Sequence, residues 1–98
     1  MESIGKTVAV EIARGEVEKM ALAAGDQFEL LLDATRDLDC GWVFFYNTTD
    51  YVRSGNFTDA LAGNGPIFVS QIGDVIFLPS ALPWEEGLKT ATLGMLPG

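Results

Sequence analysis

A chain of 98 residues, 48% hydrophobic and with six Phe, two Trp and two Tyr, is long enough for one domain (residues 1–98) with its own core and lacks the composition of disorder. Fourteen acids against six bases give a formal net charge of −8 with no histidine. That charge opposes nucleic-acid phosphates and anionic membrane surfaces, and it suits either a basic protein partner or plain solubility.

Residues from about Ser3 to Ala24 read as a helix. Ile4, Val8, Ile12 and Leu22 recur at helical spacing, alanines support the helix, Ser3 can cap it and Gly25 can stop it. Glu11, Arg14 and Glu18 form one narrow polar strip, while Val10, Val17 and Met20 lie off the first apolar side. A helix apolar over so much of its circumference is buried on more than one side. A second molecule could supply that second side, so Val10, Val17 and Met20 are the expected contacts of a homodimer. Alternation at Val8, Val10 and Ile12 would also suit a strand; the helix is preferred.

Gln27–Ala34 alternates, with Phe28, Leu30, Leu32 and Ala34 on one face, and reads as a strand. The residues 35–39 that follow read as the turn of an antiparallel hairpin. Asp33, Asp37 and Asp39 cluster around this turn as a candidate steering patch for a partner, or simply as a solvated turn; Asp50 stands about one strand-length, some 23 Å, away. Gly41–Asn47 is a strand with Trp42, Phe44 and Tyr46 on one face and Val43 and Phe45 on the other. With no polar face, it belongs inside a sheet unless one aromatic row is an exposed binding patch.

Thr48 or Thr49 can cap a short helical turn ended by Gly55, and Phe57 and Leu61 are expected anchors of the next segment. Gly63-Asn64-Gly65-Pro66 reads as a tight turn with positive φ, leading into a strand at Ile67–Ser70. Gln71–Asp74 is a hairpin turn with Gly73 at its special position, and Val75–Leu78 is the last strand. Pro83 opens a helix to about Thr92, with Glu85 and Glu86 at its positive end. Gly94–Gly98 read as a tail. The short turns predict one antiparallel sheet in chain order. The fold class is therefore α+β: an N-terminal helix packed on a four-stranded antiparallel sheet, with a short C-terminal helix.

No catalytic constellation is spelled out, and neither a cofactor nor a metal is expected. Without histidine the commonest general base and zinc ligand are missing. Cys40 lacks an activating partner and reads as a buried strand-end thiol. Asp37 and Asp39 do not follow the calcium-loop pattern. Gly63-Asn64-Gly65 leads into a strand rather than a helix, which excludes a phosphate loop. The lone cysteine fits a reducing compartment, no secretory leader follows Met1, and no apolar run approaches the roughly 18 residues of a membrane span. The expected location is the cytoplasm.

The run Gly41–Asn47, then Tyr51 and Gly55, then Leu61-Ala62-Gly63-Asn64-Gly65-Pro66 leading into a strand, resembles the immunity protein 35 family of small bacterial proteins, also described as YrhB-like. Gly73-Asp74 and Pro83-Trp84-Glu85-Glu86 fit the same pattern. Two positions depart from it: Pro79 stands where the family pattern has glycine, and Gly87 where it has an aromatic. The resemblance implies the α+β fold above and a non-catalytic role, binding and blocking a toxin domain. A chaperone-like oligomer and a binder of small ligands between helix and sheet are the alternatives. The charge adds that the toxin partner would be basic.

Overall fold

A computed structural model describes residues 3–56, 58, 65–80 and 82–92. Helix α1 spans Lys6–Ala24. Strands β1 (Phe28–Leu30), β2 (Arg36–Leu38), β3 (Gly41–Phe44) and β4 (Tyr46–Thr48) follow, then α2 (Thr49–Ser54), β5 (Ile67–Ser70), β6 (Val75–Phe77) and α3 (Trp84–Thr92). The fold is α+β, as its sequence pattern predicts. The strands form two antiparallel sheets rather than one: β1 with β4, and four strands in the order β2-β3-β5-β6.

The sheet is covered on both faces, and the alternation of β3 and β4 decides which side chain goes where. Phe44 and Tyr46 join Ile67 and Val69 beneath Ala9, Ala13 and Val17 of α1. Val43 points the other way, into a second cluster with Phe68, Leu78 and Leu88 of α3. The largest fully buried side chains are Phe44, Phe68, Ile67, Val43 and Val69, all on the two central strands. Each contributes about 1.5–3 kcal/mol by leaving water, so β3 and β5 anchor the domain.

Helix α1 differs from expectation in its start and in its buried face. Its N-cap is Gly5, not Ser3, and no side chain caps it. The Ile4 N–H is instead used against the β5–β6 turn, donating to the Gln71 carbonyl at 2.7 Å. The buried face is Ala9, Ala13, Val17 and Ala21, whereas Val8 is 49% and Leu22 82% exposed. The sheet face beneath already carries Trp42, Phe44 and Tyr46, and alanines let the helix approach those large rings at close-packed density. At its C-terminus Gly25 adopts φ 69°, and the N–H groups of Gly25 and Asp26 return to the carbonyls of Leu22 and Ala21. This paired closure stops the helix and sends the chain into β1.

The continuous strand expected over Gln27–Ala34 is broken. Leu30 faces Tyr46 and Arg36 faces Val43, so residues 31–35 of the outer arm stand opposite only 44–45 of the inner one. The surplus is folded into a 3₁₀ turn over Leu32–Ala34, closed by Ala34 N–H to Leu31 and Thr35 N–H to Leu32. The expected turn residues 36–38 are therefore strand β2, and the hairpin reverses at Asp39-Cys40. Cys40 is exposed there rather than buried.

The remaining punctuation follows the expected chemistry. Thr48 Oγ1 accepts from the Tyr51 N–H at 3.0 Å and caps α2, which ends at Gly55. Gly73 takes φ 90° in the β5–β6 turn. Pro66 precedes β5, and its carbonyl accepts from the Leu78 N–H at 2.9 Å. Gly65 does not have positive φ, contrary to expectation; it is needed because a Cβ there would fall on the Leu78 carbonyl. Phe57, Leu61, Gly63, Asn64 and the tail lie outside the described residues.

Candidate functional site

The residues singled out as partner contacts do not form one patch. Asp37 lies on β2 opposite Trp42, on the α1 side of the sheet, and Lys6 of α1 reaches it at 3.1 Å. Both side chains are more than half exposed, so the pair is worth at most about 1 kcal/mol. Asp33 sits in the 3₁₀ turn before β2 and Asp39 after it, at opposite ends of that strand. The Asp39 carbonyl accepts from the Gln71 side chain, and the Cys40 carbonyl accepts from the Gln71 N–H at 3.0 Å, so Gln71 holds the hairpin tip. Asp50 is in the first turn of α2, beyond β4.

Of the expected dimer contacts, one is turned inward and two are partly covered. Val17 is 2% exposed within the core, and Val10 and Met20 pack against the same cluster. Val17 therefore has no surface left for a second copy, whereas Val10 and Met20 keep part of theirs, and the large apolar residues that α1 leaves most open are Val8 and Leu22.

Two concavities lie side by side where the C-terminal half of α1 meets β1. They hold about 320 and about 450 Å³ and share Glu18 and Phe28 as walls. The helix side is made by Arg14, Val17, Glu18, Ala21 and Leu22. The strand side is made by Phe28, Glu29, Leu30 and Leu32. Phe28 is held from beneath: its ring centroid is 6.0 Å from that of Tyr46, whose hydroxyl lies 3.5 Å from Met20 Sδ on α1. Leu32 reaches the groove because the 3₁₀ turn swings it out of the strand line, leaving it 48% exposed.

Glu18, Asp26 and Glu29 bring three exposed carboxylates to this groove against one guanidinium, Arg14. Leu22 and Leu32 add exposed apolar surface at its margins. An apolar floor with an acidic rim is suited to holding a cationic, partly apolar group. Sequence reading placed Glu18 on a polar strip and Phe28 and Leu30 on a core face, without bringing them together. The signal that could have done so is the tight helix stop at Gly25, which folds β1 back along α1.

Among the described residues no group of three or more Cys, Asp or Glu could hold a metal ion. No helix among them is long and apolar enough to cross a membrane. A model of the protein family described as Immunity protein 35 matches residues 9–90. No curated protein and no solved structure matches the chain.

Proposed function

The chain belongs to the immunity protein 35 family, and from that premise we propose that it is a non-catalytic module that binds and neutralises a bacterial toxin domain in the cytoplasm. The observation that carries this reading is the family match, which runs from the first turn of α1 into α3 and takes in the whole α1–β1 groove. Neutralisation by binding needs a complementary surface rather than reactive groups. The net charge of −8 supports a basic partner, since opposite fields speed encounter and align the two surfaces.

The test is co-expression with a candidate toxin domain, sought first among the genes beside this one. The expected outcome is a stable complex on gel filtration and restored growth of cells making the toxin. Toxicity unchanged by this protein, with no complex between the purified chains, would overturn the reading.

A further inference from the structure

We propose that the open edge of β1 is the docking strand: an extended, basic segment of the partner adds alongside Phe28–Leu30, beside α1. This deepens the immunity reading and rests on it.

The backbone of β1 supports this directly. The Thr49 N–H donates to the Gln27 carbonyl at 2.9 Å, and the Leu31 N–H donates to the Phe45 carbonyl at 2.8 Å. In an antiparallel ladder, residues alternate between bonding their partner strand and pointing away from it. With Gln27 and Leu31 bonded to the β4 side, Glu29 is bonded too, and Phe28 and Leu30 direct their N–H and C=O outward. No described residue takes these four groups. The groove is lined by Phe28, Glu29 and Leu30 together. Neighbouring strand residues point to opposite faces of a sheet, so a concavity touching all three runs along the edge.

An extended chain entering there gains main-chain hydrogen bonds from Phe28 and Leu30, while alternate side chains meet the groove walls. The apolar ones would face Phe28, Leu30 and Leu32. Charge fixes the rest of the occupant's chemistry. Glu18, Asp26 and Glu29 outnumber Arg14, so lysine or arginine is favoured and aspartate or glutamate repelled. The break at Leu32–Ala34 limits the pairing to a short stretch, and binding would therefore depend on the flanking side chains as much as on the ladder.

The test is an NMR titration of the labelled protein with a short peptide alternating valine and lysine, against a counterpart alternating valine and glutamate. The expected result is shift changes confined to amides of residues 14–22 and 27–32, with the lysine peptide binding at least about tenfold more tightly at low salt. Glu18→Lys with Glu29→Lys, both at exposed positions, should remove that preference and leave the remaining spectrum in place. No shifts at millimolar lysine peptide, equal binding of the two peptides, or shifts centred on the β6 edge would overturn the proposal. Hydrogen exchange in the complex with the co-expressed toxin domain separates the two readings. Slowed exchange at Phe28 and Leu30 supports the docking mode. A complex that leaves those amides exchanging overturns it while the immunity role stands. Absence of any complex, with the lysine peptide still seated in the groove, overturns the immunity role and leaves the docking edge.

Discussion

Gly87 of α3 faces the ring of Pro79: a Cβ added to Gly87 would stand 3.0 Å from Pro79 Cδ and 3.3 Å from Cγ. These are the two positions at which the chain departs from the pattern expected of it, with Pro79 in place of a glycine and Gly87 in place of an aromatic. They touch each other, and bulk on one side of the contact is matched by its absence on the other. Close packing predicts a coupling between them, because a side chain added at Gly87 would enter space that the Pro79 ring already fills.

A double-mutant cycle tests that compensation. Gly87→Phe alone should destabilise by about 1–3 kcal/mol through overpacking against Pro79. Combined with Pro79→Gly it should cost less than the two single changes together, with a coupling of at least about 0.5 kcal/mol. Urea unfolding of the four proteins measures this, and strict additivity would show that the contact does not link the two positions.

The turn before β5 makes a second prediction. A side chain at Gly65 would fall on the Leu78 carbonyl and crowd Pro79, next to the bond from Leu78 N–H to the Pro66 carbonyl. Gly65→Ala should therefore destabilise by about 1–3 kcal/mol, and Gly65→Val by more, through overpacking rather than through φ. A melting temperature unchanged in Gly65→Ala would contradict the close approach of the two backbone segments.

These cases show which parts of the molecule were legible in the sequence. The alternation of Trp42, Phe44 and Tyr46 against Val43 and Phe45 correctly assigned the side chains to two cores, because side-chain direction along a strand has a fixed period. The Thr48 cap and the Gly25 stop were legible because each depends on one local backbone geometry. The buried face of α1 was not, because Ala9 and Ala13 are buried for their small size, which hydrophobic spacing undervalues beside Val8 and Leu22. The 3₁₀ break was hidden because Leu32 and Ala34 continue the alternation of Phe28 and Leu30; the surplus residues appear only when both arms of the hairpin are aligned. The groove depends on that break and on the helix stop together, so its parts were visible singly and its existence was not.

Gly15 lies mid-helix, and a Cβ there would meet nothing within 4 Å. Gly15→Ala should stabilise the protein by about 0.5–1 kcal/mol, by raising helix propensity and restricting the unfolded chain. The urea midpoint should rise with an unchanged slope. A fall would mean that the surroundings of Gly15 have less room than their geometry indicates.

Thr35, at the end of the 3₁₀ turn, carries a buried hydroxyl oxygen with no hydrogen-bond partner among the described residues. Leaving such a group dry costs about 1–3 kcal/mol, and a methyl in its place carries no such penalty. Thr35→Val keeps the branched shape and should be neutral or stabilising, whereas a loss of more than about 1 kcal/mol would show that the hydroxyl is satisfied in solution.

The last prediction separates two sets of acids. Neutralising Asp33, Asp37 and Asp39 to asparagine removes one exposed ion pair, Lys6–Asp37, and leaves the backbone contacts of Gln71 at the hairpin tip intact. Stability should change by less than about 1 kcal/mol. Association with the toxin domain should slow only modestly, and less in high salt, because these carboxylates are spread along β2 and act through the long-range field. Glu18→Gln with Glu29→Gln removes the same kind of charge from the groove, where a docked basic side chain would be in contact. That pair should chiefly raise the dissociation rate. Stopped-flow association and dissociation measurements on both variants test the distinction. Faster dissociation in the aspartate variant, with the glutamate variant unaffected, would move the interface from the α1–β1 groove to the β2 hairpin.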